Sequence, residues 1–188
     1  MGKRLTFTPL AGAAPGTLLS LLTESHQDLT DTYAERWSGE AENWAAFDTD
    51  AFQRPDSAGK CVFVTRLGAD IIGFGSYDPR GLPETGKVGH NCILPAHRQK
   101  GYGSRQLEEI VRRLKTLGAR KVMATTSEHP FYLPAREMYM SMGFTETGRS
   151  EGGPDPDFRL VHYELSLDDP RPEPVLNDAP EDEEWGKD

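Results

Sequence analysis

The run Arg98-Gln99-Lys100-Gly101-Tyr102-Gly103-Ser104 constrains this chain more than any other stretch. An apolar segment over residues 88–94 precedes it, and a helical pattern begins immediately after it. Two glycines at such a junction let the backbone turn sharply and let a bulky group approach it closely. The following helix aims its unpaired N–H groups back into the turn, which makes a ready site for an anion such as a pyrophosphate.

Two common phosphate loops are excluded. A dinucleotide fingerprint, G-x-G-x-x-G, needs glycine where Gln106 stands, and a G-x-x-x-x-G-K-[ST] run occurs nowhere in the chain. Arg98 to Gly103 instead resembles [RQ]-x-x-G-x-[GA], the acyl-CoA signature of GNAT-type N-acetyltransferases. Further on, Ala135-Arg136-Glu137-Met138-Tyr139-Met140-Ser141-Met142-Gly143-Phe144 resembles that family's A-x-x-[LM]-Y-x-x-x-G-F segment. The two matches stand in the family's order and at its spacing.

The 188 residues, 36% of them apolar, suit one domain with a real core plus an appendage. Cys61 and Cys92 fall inside apolar runs and read as two buried thiols of a reduced, cytoplasmic protein. No apolar stretch approaches the roughly 18 residues of a membrane span. Lys3-Arg4 before a mildly apolar run hints at a signal peptide, but Thr6, Thr8 and Pro9 interrupt it. Met1-Gly2 with Thr6 fits the loose myristoylation pattern, yet residues 4–10 are better used as a first strand. Of the net charge of −9, residues 168–188 carry −7 and residues 1–167 only −2. With four prolines and few apolar residues, that tail is expected to be disordered, Trp185 being its one bulky handle.

Along the chain, a strand is predicted over residues 5–10, followed by a helix capped by Thr17 with Leu18, Leu21, Leu22 and Leu29 on one side. A second helix covers about 40–52, with Trp44, Phe47 and Ala51 at helical spacing. Residues 61–65 and 71–75 flank Gly68-Ala69-Asp70 as a hairpin, and a strand over about 87–94 ends at Pro95. Leu107, Ile110, Val111, Leu114 and Leu117 stripe the helix after the glycine loop, Glu108–Arg112 and Glu109–Arg113 are spaced for ion pairs, and Gly118 stops it. A strand over 121–126, a helix from Pro134 to Gly143 and a last strand over 161–167, after a Gly/Pro-rich loop at 152–156, complete the order. The β-α-α-β-β-β-α-β-α-β series over residues 4–167 matches the GNAT architecture. The resemblance thus implies an α/β (α+β) GNAT acyltransferase fold, a central mixed, mostly antiparallel sheet flanked by helices, over residues 1–167.

The charges separate. Residues 97–121 carry +6, which favours arrival of the phosphates of CoA, and residues 24–50 carry −7. In the family the first helices border the acceptor, so the acidic segment favours a cationic amine and disfavours nucleic acid. Tyr33, Trp37, Trp44, Phe47 and Phe52 in that segment are candidates for an aromatic acceptor wall.

The resemblance assigns acetyl-CoA as co-substrate, with no metal. Backbone N–H groups from about Gln99 to Ser104, through Lys100, Gly101, Tyr102 and Gly103, would grip the pyrophosphate, with Arg98 opening the cofactor-binding motif. The strand Asn91–Leu94, with Ile93 and Leu94 as its binding residues, would hold the pantetheine, where one main-chain N–H can meet the thioester oxygen; such a donor is worth about 10²–10³ in rate. Tyr139 occupies the family's acid position, able to protonate the leaving thiolate. His90 is the first candidate base by intrinsic pKa, although Lys87 and Gly89 hold the positions where related enzymes often carry theirs. Glu128 and His129 are the other candidates, and a water relay to one of the acids near the pocket is a further alternative. Tyr132 stands where many family members have Asn, which alters the floor of the site. The expected activity is acetyl transfer to a primary amine of a small molecule, by direct attack on the thioester, in a cytoplasmic protein with no nucleic-acid or membrane partner. A non-catalytic acyl-CoA-binding or sensory module on the same fold is the alternative. The sequence leaves open the acceptor's identity, the base and homodimerisation.

Overall fold

Val62, Phe63, Val64 and Thr65 are all buried because their strand is covered on both faces. Phe63 joins a cluster with Leu107, Ile110, Leu114 and Tyr139 on one side, whereas Val62 and Val64 join Leu18, Leu22 and Trp44 on the other. A computed structural model describes residues 2–153 and 155–167. The tail, with Trp185, lies outside the described residues.

Seven strands form one sheet: β1 (Leu5–Pro9), β2 (Val62–Leu67), β3 (Asp70–Asp78), β4 (Thr85–Ile93), β5 (Lys121–Ser127), β6 (Thr145–Ser150) and β7 (Leu160–Ser166). Their order is β1-β2-β3-β4-β5-β7-β6, antiparallel throughout except for the parallel pair β4–β5. Helices α1 (Thr17–Ser25), α2 (Gln27–Thr32), α3 (Ala34–Trp37) and α4 (Glu40–Gln53) lie between β1 and β2. Helix α5 (Tyr102–Thr116) follows the glycine loop, and α6 (Leu133–Ser141) follows β5. The core divides accordingly, with α5 and α6 over one face and α1 and α4 over the other. This is the mostly antiparallel, helix-flanked sheet expected from the sequence.

Several local expectations are corrected. The first helix ends at Ser25, and Leu29 belongs to the separate α2. Thr17 does not cap α1; Asp48 of α4 accepts from the N–H groups of Gly16, Leu18 and Leu19 at 2.8, 2.9 and 3.3 Å. A carboxylate from a packed helix reaches donors that a helix N-terminus leaves open. Cys92 is buried as expected, but Cys61 is only half-buried, because it closes a turn just before β2. Arg112 turns to Glu109 rather than Glu108, so Glu109 holds both Arg112 and Arg113 at 2.7 Å. Strand β6, Thr-Glu-Thr-Gly-Arg-Ser, has no apolar alternation and goes unseen in the sequence because it forms an exposed edge.

Candidate functional site

Strands β4 and β5 run together only from Thr85 to Lys87, opposite Lys121 to Met123. Beyond that point β4 stays with β3 and β5 with β7, so a gap opens between them. A bulge marks the divergence: the β3–β4 register shifts between Gly75 and Tyr77, and the Ser76 hydroxyl accepts the His90 N–H at 2.7 Å. Glycine is required beside it, since a Cβ on Gly89 would lie 2.4 Å from the Ser76 hydroxyl oxygen. Further along, the Leu94 N–H donates to the Ile72 carbonyl at 2.9 Å. Alternation along an antiparallel pair then turns the amides of Asn91 and Ile93 to the opposite edge, the one β5 has left.

The glycine loop meets this gap. Gly101, at φ +77°, is the N-cap of α5, and no side chain caps the N–H groups of the first turn, contributed by Tyr102, Gly103 and Ser104. No atom lies within 4 Å of a Cβ built on Gly101, so the loop presents bare backbone to open space. A cavity of about 320 Å³ lies here, lined by Ile93, Arg98, Gln99, Gly101, Gly103 and Ser104, among others. Leu94, Lys100 and Tyr102 stand outside its lining. Arg98 donates to the carbonyls of Ile93 (3.0 Å) and Ser25 (2.6 Å), which ties the loop to β4 and α1. Lys100 donates to the Ala96 carbonyl at 2.9 Å. Four of the eight bases from Arg98 to Lys121 (Arg112, Arg113, Arg120 and Lys121) are ion-paired, so the positive potential is smaller than the residue count suggests.

A second cavity, of about 360 Å³, lies on the other side of the gap. It shares His26, Asn91, Cys92, Tyr132, Ala135 and Met138 with the first. Trp37, Trp44 and Phe158 wall it, and Glu40 lines it as well as an outer vestibule of about 810 Å³ that also holds Tyr33 and Glu35. Of the predicted aromatic wall, Trp37 and Trp44 thus line the inner cavity and Tyr33 the vestibule, whereas Phe47 and Phe52 pack in the α1–α4 core. Of the acidic segment, Asp48 caps α1, Asp50 pairs with Arg54, and Glu35 and Glu40 line these cavities.

Tyr139 lines the inner cavity, its ring stacked on Tyr163 at 5.4 Å and edge-on to Phe144 at 5.4 Å. Burial, reinforced by Tyr163, raises its pKa well above the ordinary tyrosine value, so the phenol keeps its proton. His90 lines the same cavity, packed against Phe47 at 4.7 Å and Phe74 at 5.5 Å. Burial, with the nearby His26, lowers its pKa to about 4. Neither other candidate base lines any of these three cavities. Glu128 pairs with Arg149 and Arg159, and His129 hydrogen-bonds through Nε2 to the Tyr33 hydroxyl (3.0 Å) and accepts the Phe131 N–H on Nδ1 (3.2 Å). Among the described residues, no cluster of three His, Cys, Asp or Glu side chains could hold a metal ion. No helix among them is long and apolar enough to cross a membrane.

Sequence reasoning missed His26, Gln106 and the side chain of Asn91. Gln106 is fully buried and donates to the Asn91 side-chain oxygen (2.6 Å) and the Phe74 carbonyl (2.7 Å), while accepting from the Thr65 hydroxyl. A glutamine failing a glycine motif was the signal available, and it pointed only to what the loop is not.

A glycine loop on a helix N-terminus thus faces a gap between two parallel strands that diverge. The chain belongs to the acetyltransferase (GNAT) family, whose model matches residues 21–144. No curated protein matches the sequence at a significant level. A GNAT-family protein from Desulfovibrio desulfuricans is similar in structure, with a TM-score of 0.68 at 18% identity, covering 87% of this chain and 99% of its own. A GNAT acetyltransferase from Elizabethkingia anophelis, with acetyl-CoA bound, gives 0.58 at 17% over 87% of this chain and 98% of that one. The ribosomal-protein-alanine N-acetyltransferase of Brucella melitensis gives 0.64 at 17%, over 86% and 99%. At such identities the likeness is one of fold, and it does not carry an acceptor across.

Proposed function

We propose that this protein transfers the acetyl group of acetyl-CoA to a primary amine of a small, cationic molecule, by direct attack on the thioester. The observation that carries the reading is the junction of the two cavities. One is bounded by the glycine loop, the other by Trp37, Trp44 and Glu40, and they meet at Asn91 and Cys92 on the unpaired edge of β4. A donor molecule entering from one side and an amine from the other would meet along that edge.

The residues fit acetyl-CoA. The bare turn at Gly101 and the free N–H groups at the start of α5 suit a pyrophosphate. The outward amides of Asn91 and Ile93 suit the pantetheine arm and the thioester oxygen, worth about 10²–10³ in rate when aimed at developing charge. When bound, acetyl-CoA supplies the activated acyl carbon. Tyr139 holds its proton for the departing sulfur, and the surrounding aromatic rings exclude water. Among the described residues Glu40 makes no ion pair, and it borders both cavity and vestibule. It would attract an ammonium group beyond the reacting nitrogen. We place the protein in the cytoplasm on the same reading. The test is a screen of amines with acetyl-CoA, monitoring released thiol: turnover with diamines or polyamines supports the proposal, and turnover only with anionic amino acids or protein N-termini overturns the acceptor class. Acetyl-CoA binding without turnover on any amine would instead support the non-catalytic module.

A further inference from the structure

His26 is the residue that the sequence singled out least and the site places best. The chain leaves helical geometry there, at φ −116°, between α1 and α2. Its ring lines both cavities, the one beneath the glycine loop and the one on the acceptor side. Nδ1 lies 2.9 Å from the Leu22 carbonyl oxygen. A carbonyl only accepts, so Nδ1 carries the ring proton and Nε2 keeps a lone pair. Nε2 has no hydrogen-bond partner among the described residues. Trp44, Trp37 and Phe131 surround the ring at 5.3, 5.7 and 6.0 Å. His90 borders only the acceptor cavity.

We infer that His26 is the general base of the acetyl transfer, receiving the amine's proton on Nε2 while the Leu22 carbonyl fixes its tautomer; this rests on the acetyltransferase reading above. As the amine nitrogen bonds to the acyl carbon, one N–H proton passes to His26. As the C–S bond breaks, the sulfur takes the proton of the Tyr139 hydroxyl. Solvent then removes one proton from His26 and returns one to Tyr139, so nitrogen loses one proton and sulfur gains one.

The charged and titratable groups around His26 are Arg98 beyond β4, Arg36 on α3, Glu40 on α4, His90 and Cys92 on β4, Tyr132 before α6 and Tyr139 on α6. Burial is the largest influence and lowers its pKa; the Leu22 hydrogen bond opposes this, Arg98 adds to the lowering and Glu40 opposes it. The ring is therefore neutral, and able to accept a proton, at pH 7 and above.

The test uses the full-length protein with acetyl-CoA and the best amine of the screen. His26→Ala should lower kcat by about 10² or more, with acetyl-CoA affinity unchanged by calorimetry. The variant-to-wild-type ratio of kcat/KM cancels the acceptor's own ionisation. It should rise only as pH falls through the lowered His26 pKa, below the ordinary histidine value, where only the wild type loses its base. Added imidazole should restore part of the lost rate. A loss under about threefold, a flat ratio, or rescue in His90→Ala but not in His26→Ala would overturn the assignment. Where His26→Ala does not fold, His26→Gln replaces it. Nitrogen-15 NMR of the acetyl-CoA-bound wild type needs no acceptor. A neutral ring protonated on Nδ1 at pH 7 supports the assignment, and an imidazolium or an Nε2–H ring overturns it. A wild type that acetylates no amine counts against the acetyltransferase reading itself, a separate outcome from the NMR result.

Discussion

The Gln106 amide donates to the Asn91 side-chain oxygen at 2.6 Å, and Asn91 in turn donates to the Gly103 carbonyl at 3.3 Å. These two residues fasten the first turn of α5 to the free edge of β4, so they set the distance between the glycine loop and the strand edge that we propose faces the thioester. Gln106→Leu removes both donors and the acceptor for Thr65 from a fully buried position. Leaving such groups unpaired costs about 1–3 kcal/mol, a fall of several degrees in melting temperature. Acetyl-CoA affinity, measured by calorimetry on the folded fraction, should fall as well. Unchanged affinity would mean that the cradle holds its place without this link.

Gly101 sits at φ +77° with nothing within 4 Å of a built Cβ. Gly101→Val therefore meets backbone strain of about 1–2 kcal/mol but no clash within the protein. The protein should fold, with a modest loss of stability, while the new side chain blocks approach to the loop. A folded variant with wild-type acetyl-CoA affinity would remove the loop from the binding site.

Tyr139→Phe deletes only a hydroxyl from a ring held by Tyr163 and Phe144. If the hydroxyl protonates the thiolate, kcat should drop by about 10²–10⁴ with cofactor binding intact. A loss below about threefold would leave Tyr139 a core residue alone.

Glu40, half-buried, lines the cavity and the vestibule, whereas Glu42 is exposed on the other side of the helix start. Glu40→Gln should raise KM for a diamine more than for a neutral aryl amine, and Glu42→Gln should change neither. Equal effects of the two substitutions would reduce the acidic segment to a general field.

His90 couples the site to pH. Its folded pKa, about 4, lies below the ordinary histidine value, so between the two the unfolded chain binds more protons. Stability from its burial is complete above about pH 6.5 and declines toward pH 4, by on the order of 3 kcal/mol. The melting temperature of His90→Gln should accordingly fall less than that of the wild type between about pH 6.5 and 4.5. Parallel pH curves for the two proteins would contradict the buried, neutral ring.

The glycine loop, the apolar stripe of α5, the hairpin of β2 and β3, and Tyr139 ahead of Gly143 were legible in the sequence. Each rests on local rules, since a turn, a periodicity or a short motif needs only neighbours along the chain. Segregation of charge was legible too, but not its use. That Asp48 caps α1, that Glu109 gathers two arginines, and that Glu40 rather than Glu42 faces the cavity depend on which helix packs beside which. His26 and Gln106 carry no local signal, one lying in an apolar helical pattern and the other on a helix stripe. Only the tertiary structure brings Leu22, Trp37, Trp44 and Phe131 around His26. Only the parting of β4 from β5 opens the gap in which such residues can act. Sequence alone determined the loop and the elements that carry an apolar pattern, because their causes are short-range; the edge strand β6 and the site's contents were decided by packing between residues far apart in the chain.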